Sequence, residues 1–263
     1  MLQSAQPVGG LLREWRQRRR LSQLDLAVEA EISTRHLSFL ETGRARPSRE
    51  MVLHLAERLD VPLRERNLLL VAAGYAPVFP ERPLSDPGLS AARQAVDLVL
   101  KGHEPCPALA IDRHWNLIAA NDATTRLMAV EDAALLRPPI NVLRLSLHPG
   151  GLAPRIANLA EWRGHLLERL RRQIEVSADP ALVALMKELR GYPAPRAAAP
   201  AAKADYTEFV IPFRLATDAG VLAFLSTTTV FGTPVDITLA ELALETFFPA
   251  DEATAGRLRR TAA

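Results

Sequence analysis

Residues 33–46, "STRHLSFLETGRAR", combine hydrogen-bonding and cationic side chains with the spacing of a short helix. Leu37 and Leu40 stand three residues apart and predict its buried side. The opposite side carries only polar or cationic groups, namely Thr34, Arg35, His36 and Ser38. Such groups can hydrogen-bond the edges of nucleic-acid bases, and a guanidinium can pair bidentately with guanine. Arg35 is therefore the best candidate base reader, whereas His36 is equally compatible with a solvated surface.

Cationic groups also follow this helix, and a second short helix precedes it. The stretch "SQLDLAVEA" begins at Ser22, and the three residues "EIS" (31–33) form a tight connection to the helix that starts at Ser33. This helix-turn-helix arrangement sets its second helix in the major groove and lets the first cross the backbone. Three side chains are then predicted to contact phosphates: Gln23, Arg44 and Arg46.

Residues 9–75 as a whole predict five short helices. Ser22, Ser33 and Ser48 are suited to cap helix N-termini, while Gly43 and Gly74 are suited to end helices. Helices of this length are not stable alone, so they must share one small core.

Bulk properties limit the classes of protein. The chain has 263 residues, enough for one large domain or two modest ones. Its net charge is +2, yet residues 1–75 hold twelve arginines against nine acids, densest at "RQRRR" (16–20). That surplus suits a polyanionic partner or a solvated helix face. The single cysteine, Cys106, excludes an intrachain disulfide. With no signal peptide and no apolar run near the roughly 18 residues of a membrane span, a cytoplasmic protein without a membrane partner is expected.

The sequence changes character after residue 75. Residues 76–90 contain four prolines and predict a linker between residues 1–75 and residues 91–263. The later region predicts a helix, two strands around a turn at residues 112–114, a helical stretch over 152–190 and two further strands meeting near Gly220. This order favours an α+β fold in which flanking helices cover one side of an antiparallel sheet.

Several enzyme classes lack their motifs. There is no phosphate-binding loop with Lys-Ser/Thr, no G-x-S-x-G elbow, and no histidine pair with zinc-ligand spacing. We therefore expect no catalytic residues, no metal site and no required cofactor.

The N-terminal region resembles the xenobiotic-response-element family of helix-turn-helix regulators, related to phage repressors. The resemblance lies in "LSQ", "AEIS", "L-x-x-L-E-x-G-R-x-x-P-S" and "LAERLDV", and it covers residues 10–75. It implies a five-helix, lambda-repressor-like DNA-binding fold. Glu31 departs from the family, in which glycine is common at that turn position. Carried over by position, Thr34, Arg35 and His36 face bases, Ser38 lies deeper on that side, Gln23 contacts phosphate or base, and Thr42 and Arg44 touch the backbone.

Residues 91–260 resemble the ligand-binding domain of MmyB-like regulators. The matching stretches are "NVLRLSLHPGGLAPRIANLAEWRGHLLERLRRQ", "DPALVALMKELRGYP" and "FGTPVDITLAELALETFFPAD". The resemblance implies a PAS-like sheet around a lipophilic pocket, which takes a fatty-acid-like ligand in some members. Candidate pocket residues are Trp115, Leu117, Trp162, His165, Phe213, Ala223 and Phe224. From the residues alone, these side chains equally suit a filled core, and Arg144, His148 and Arg155 suit either a carboxylate anchor or the surface.

Together these features predict a bacterial one-component transcription regulator. It is expected to bind a double-stranded DNA operator as a homodimer and a small lipophilic effector, such as a bound fatty acid, in its second domain. The alternative is a protein-interaction adaptor, in which the helix-turn-helix docks a partner such as polymerase and the second domain is structural or dimerising only.

Overall fold

A computed structural model describes residues 7–193, 211–232 and 234–262. The chain divides into two compact units, Met1–Arg82 with Pro234–Ala240, and Pro83–Thr233 with Glu241–Ala263. Each unit has its own hydrophobic core. Within the described ranges, no helix is long and apolar enough to cross a membrane.

The first unit contains the five predicted helices: α1 (Val8–Arg18), α2 (Gln23–Glu29), α3 (Thr34–Glu41), α4 (Arg49–Arg58) and α5 (Leu63–Ala72). Its core includes Leu37 and Leu40, as their spacing predicts. The side chains of Ser22, Ser33 and Ser48 each accept a hydrogen bond from a backbone N–H in the first turn of α2, α3 and α4. The sequence therefore sets the N-termini of these three helices by capping, and the all-α prediction is confirmed.

The turn between α2 and α3 forces one residue into a left-handed conformation. Glu31, at the family's glycine position, has φ of +54°. Its neighbour Ile32 donates its backbone N–H to the carbonyl of Ala27 at 2.9 Å, which closes the end of α2. The turn geometry is therefore kept without glycine, at the steric cost that a Cβ atom carries at positive φ.

A buried ion pair joins α1 to the end of α3. The Arg16 guanidinium donates to the Glu41 carboxylate through Nε at 2.6 Å and Nη2 at 2.9 Å. Gln23, at the start of α2, donates its side-chain amide to the same carboxylate at 2.8 Å. Burial alone would raise the pKa of Glu41, but the hydrogen bonds from Arg16 and Gln23 outweigh it and hold that pKa below its usual value.

The second unit places an antiparallel sheet among helices, and the predicted α+β class is confirmed. Its helices are α6 (Ser90–Gly102), α7 (Asp122–Leu127), α8 (Val142–Leu147), α9 (Leu159–Ser177), α10 (Pro180–Gly191) and α12 (Glu252–Ala262), with α11 (Ile237–Ala240) belonging to the first unit. Its strands are β1 (Ala108–Ile111), β2 (Leu117–Ala120), β3 (Phe213–Thr217), β4 (Gly220–Val230) and β5 (Ala243–Pro249). The sheet order is β2-β1-β5-β4-β3.

Three features of this unit differ from the sequence prediction. The central strand β5 was not predicted. The helical stretch over 152–190 contains two helices, because Ala178 has φ of +56° and the Asp179 side chain caps α10. The sheet carries helices on both faces, since Val96 of α6 packs with Ala110 and Leu244 on the face opposite α9 and α10. The alternating stretch "TEFVIPFRL" predicts that Phe209 belongs to the strand before Gly220, but this residue lies outside the described residues.

Replacing Glu31 by glycine should stabilise the first unit. Glu31→Gly removes the Cβ clash at positive φ and is expected to raise its free energy of unfolding by about 1 kcal/mol. The matched control, Glu57→Gly in α4, should lower it by about 1 kcal/mol, because glycine weakens a helix interior. Native-state hydrogen exchange of α2 and α3 amides measures both changes. A loss of protection in Glu31→Gly would contradict the assigned turn.

Removing the charge of Glu41 should be costly. Glu41→Gln leaves the Arg16 cation buried without its partner and is expected to destabilise the first unit by roughly 3 kcal/mol at neutral pH. Because the pKa of Glu41 is lower in the folded state, its contribution is complete above the unfolded value and is lost as the pH falls through the folded value. The difference in the free energy of unfolding between the wild type and Glu41→Gln should therefore become smaller in acid.

The exposed Glu168→Gln variant is the control for this experiment, because its carboxylate pairs with Arg171 on the solvated face of α9. Hydrogen exchange at several pH values measures the stability of both variants. An equal loss of protection in the two variants would show that burial of the Arg16–Glu41 pair is unimportant.

Candidate nucleic-acid interface and ligand cavity

The outer face of α3 carries the predicted base-contacting side chains. Arg35 is exposed, whereas Thr34, His36 and Ser38 are half-buried at the same surface. The Ser33 hydroxyl accepts the backbone N–H of His36 at 3.1 Å, which fixes the first turn of the helix. The polar outer face and the apolar inner face therefore lie on opposite sides of one short helix.

Phe39 is part of this surface and was not predicted. The Arg35 guanidinium lies 5.3 Å from the centre of the Phe39 ring, and the Arg44 guanidinium lies 5.9 Å from it. Such contacts hold a cation over a ring face while its N–H groups stay available. The signal in the sequence was the i, i+4 spacing of Arg35 and Phe39 on a helix.

The remaining predicted contacts have partners within the unit. The Gln23 amide is bonded to Glu41, and the Thr42 hydroxyl donates to the carbonyl of Ser38 at 2.7 Å. Arg46 donates to the carbonyl of Ala73 at 3.0 Å and so links the segment after α3 to the end of α5. These side chains lie beside α3, but each also has a structural role.

Two arginines of the "RQRRR" run are structural. Arg16 is buried against Glu41, and Arg19 donates to the carbonyls of Leu59 at 2.7 Å and Asp60 at 2.8 Å. Fewer cations are therefore available to a polyanion than the number of arginines in this run suggests. Glu41 offered a signal, because an acidic residue beside Leu40 on the inner side of a helix must find a cation.

An apolar cavity lies in the core of the second unit. Its volume is about 100 Å³, below the roughly 300–1,000 Å³ usual for small-molecule sites. Its wall is almost entirely apolar and includes Trp115, Trp162, Phe213, Phe224 and Phe247. A long alkyl chain therefore fits only if the wall moves or if the ligand extends into a second space.

Four of the seven predicted pocket residues line this cavity: Trp115, Trp162, Phe213 and Phe224. Ala223 pairs with Arg214 across β3 and β4, one residue away from the Phe213–Phe224 pair, so its side chain points to the opposite face of the sheet. Its backbone N–H donates to the hydroxyl of Thr254 in α12. A substitution at Ala223 would therefore disturb α12 rather than fill the cavity.

Leu117 and His165 also lie outside the cavity wall. Leu117 pairs with Ile111 in the register of β2 and β1. The His165 ring stacks on Trp162 with 5.3 Å between ring centres. Burial and the nearby Arg169 cation lower the pKa of His165, so its imidazole is neutral at neutral pH.

A strained tryptophan forms one wall of the cavity. The Asp112 carboxylate accepts the backbone N–H groups of His114 at 2.7 Å and Asn116 at 2.9 Å, which closes the predicted turn. Trp115 between them has φ of +66°, unusual for a bulky residue. Its indole N–H donates to the side-chain oxygen of Gln173 at 2.7 Å. The turn thereby fixes the Trp115 ring against α9.

The cation at the cavity wall is already neutralised. Arg169 binds both carboxylate oxygens of Glu245, with 3.3 Å between Nη1 and Oε2, and its guanidinium lies 4.9 Å from the Trp115 ring centre. The Glu245 side chain is only 5% exposed. Among the described residues, the cavity wall therefore offers an incoming anion no free cation.

The three candidate carboxylate anchors lie in different settings. Arg144 binds both oxygens of Glu188 at 2.8 Å, and His148 accepts the backbone N–H of Gly150 through Nδ1 at 3.0 Å. The hydrogen bonds from Arg144 hold the pKa of Glu188 below its usual value. Arg155 instead lines a separate cleft of about 620 Å³ and donates to the backbone carbonyls of Leu127, Ala129 and Ala216.

Two family models match the chain, one in each region. The model of the family described as "MmyB-like transcription regulator ligand binding domain" matches residues 92–260, and that of "Helix-turn-helix domain" matches residues 7–69. No curated protein matches the sequence.

Among solved structures, the chain is similar to an RNA-binding Light-Oxygen-Voltage receptor at 11% identity. The match covers 97% of this chain and 62% of the receptor chain, with a TM-score of 0.24, too low to support an inference. Because one family model covers more than half of the chain, the chain belongs to the MmyB-like transcription regulators, with its ligand-binding domain behind a helix-turn-helix domain.

Proposed function

We propose that this regulator binds a double-stranded DNA operator through α3 and a lipophilic, fatty-acid-like molecule through the cavity of its second unit. It acts in the cytoplasm. It acts there as a homodimer, because such regulators read two half-sites roughly 34 Å apart. No metal or other cofactor has a part in this proposal. The observation that carries it is the polar face of α3, with its apolar face buried.

The charges around α3 support the DNA-binding role. Among the described residues, no carboxylate lies within ion-pair distance of Arg35 or Arg44. Glu41, the acid nearest to them on α3, is neutralised by Arg16. The surface therefore presents cations without a competing anion, as phosphate contacts require. Arg35 is assigned to a base edge, and Arg44 to the backbone.

The cavity supports a lipophilic ligand rather than a polar one. Aromatic side chains from β3, β4, β5 and α9 meet around it, and the Arg169 cation in its wall is neutralised by Glu245. Apolar walls favour an apolar ligand because burying an unpaired polar group is costly. The alkyl chain of a fatty-acid-like molecule therefore suits this site.

A chain segment that connects two strands of the cavity wall gives a route for coupling. Residues 234–240 connect β4 to β5, yet they belong to the first unit, where Ile237 donates its backbone N–H to the carbonyl of Pro80 at 2.9 Å. Thr238 donates its hydroxyl to the carbonyl of Arg82. Because β4 and β5 carry Phe224 and Phe247 of the cavity wall, movement of these strands on ligand binding would act on the segment that joins the first unit.

Substitutions on α3 should separate base reading from backbone binding. Arg35→Ala is expected to cost about 1–3 kcal/mol on the operator and to relax preference at one base pair. Arg44→Ala should weaken all duplexes alike and reduce the salt-dependence slope by about one unit. Titration of duplexes from the gene's upstream region and of random duplexes, at several salt concentrations, measures both effects.

Arg58→Ala, an exposed arginine on α4, is the control and should change neither property. Identical behaviour of the Arg35 and Arg44 variants on specific and random DNA would contradict the assignment of α3. Weak, sequence-blind binding by the wild type would instead favour the protein-interaction adaptor.

Filling the cavity should abolish the effector response and leave DNA binding intact. Val142 borders the cavity, so Val142→Phe should exclude ligand, whereas Val183→Phe on the exposed face of α10 should not. In the wild type, a C12 to C18 fatty acid should change operator affinity roughly 5–150-fold, and operator should change lipid affinity by the same factor. Operator titrations with and without lipid test this. No change in the wild type, despite demonstrated lipid binding, would mean that the cavity has no sensory role.

A further inference from the structure

The apolar cavity has a neighbouring cleft of opposite character. This cleft, of about 620 Å³, lies between the end of α7, the turn joining β3 to β4, and α12. Leu127, the last residue of α7, borders both the cleft and the cavity. The Leu127 side chain is therefore part of the wall that the two spaces share.

Arginines dominate the charge of the cleft. Among the described residues, Arg126, Arg155 and Arg257 line it, against one acidic residue, Asp218. Arg126 forms a long ion pair with Glu104 at 3.5 Å, and more than a third of its side chain is exposed. The cleft therefore has a net positive lining, unlike the cavity beside it.

Arg155 is held in place without being neutralised. Its Nη1 donates to the carbonyls of Leu127 at 3.4 Å and Ala129 at 2.8 Å, and its Nε donates to the carbonyl of Ala216 at 3.3 Å. Among the described residues, no carboxylate lies within ion-pair distance of Arg155, and its Nη2 makes no hydrogen bond. A positioned guanidinium with unused donors can bind a carboxylate or phosphate.

The cavity itself disfavours an anion. Its cation, Arg169, is occupied by Glu245, and a second carboxylate there would be repelled and desolvated. We therefore propose that the ligand is an amphipathic anion whose carboxylate or phosphate binds Arg155 in the cleft while its alkyl part passes Leu127 into the cavity. This assignment rests on the proposed lipophilic-ligand function and adds a head-group site to it.

Three twelve-carbon probes test the assignment: dodecanoate, dodecyl phosphate and dodecanol. A change in tryptophan fluorescence reports binding, since Trp115 and Trp162 line the cavity. Both anions should bind the full-length wild type at least about tenfold more tightly than the alcohol, because a charge-assisted hydrogen bond adds to alkyl burial. The ratio of the two anion affinities distinguishes a carboxylate from a phosphate as the preferred head group.

Substitution of the arginines should affect only the anions. Arg155→Met should weaken both anions by about tenfold and leave dodecanol unchanged, while Arg155→Lys should retain part of the preference. Arg190→Met, an exposed arginine of α10 that lines neither space, should change nothing. If Arg155→Met also weakens dodecanol binding, the loss of the hydrogen bonds from Arg155 to backbone carbonyls has disturbed the fold. Arg126→Met then serves as the test variant, and it should lower the affinity for the anions by a smaller factor.

Two results would overturn the head-group site. If the wild type binds dodecanol as tightly as the anions, or if neither arginine substitution reduces the preference for anions, the ligand is a neutral lipophile and the proposed function survives without this site. If the wild type binds none of the probes, both the head-group site and the lipophilic-ligand function are wrong.

Discussion

The buried pair of Arg16 and Glu41 is the interaction on which presentation of α3 depends. A two-turn helix is not stable alone, so its orientation comes from what it packs against. The ion pair joins its last residue to α1, and the amide of Gln23 brings α2 to the same point. The pair also neutralises an acid beside the cationic surface. One contact therefore supports both the geometry and the charge of the proposed interface.

The second unit is organised around β5, the middle strand of its sheet. This strand brings Phe247 to the cavity and Glu245 to Arg169, and it is preceded in the chain by the segment that belongs to the first unit. A covalent path therefore runs from the cavity wall to the DNA-binding unit. A ligand shifts an equilibrium between two states only if it contacts the two states differently. This path connects the place where a ligand in the cavity would make such contacts to the unit that binds DNA.

Interactions between residues close in the chain made much of the fold predictable. Features that depend on contacts between distant residues could not be predicted. Capping serines and terminal glycines act within a few residues, so the helices of the first unit could be read from the sequence. Strand β5 was missed because the burial of Glu245 depends on Arg169, which is distant in the chain. Ala223 and Phe224 are adjacent in a strand and cannot share a face, a rule that could have removed Ala223 from the pocket. Arg16 was missed because its partner Glu41 lies on another helix, whereas the contact of Phe39 with Arg35 was available from their i, i+4 spacing.

The most direct test of the central claim is the affinity of the wild-type protein for its upstream duplex relative to a scrambled duplex of equal length and composition. Specific recognition by α3 predicts a ratio of about a thousandfold or more at physiological salt, with a steep salt dependence for both duplexes. Equal affinities for the two duplexes would contradict the account, because the polar face of α3 would then read no sequence.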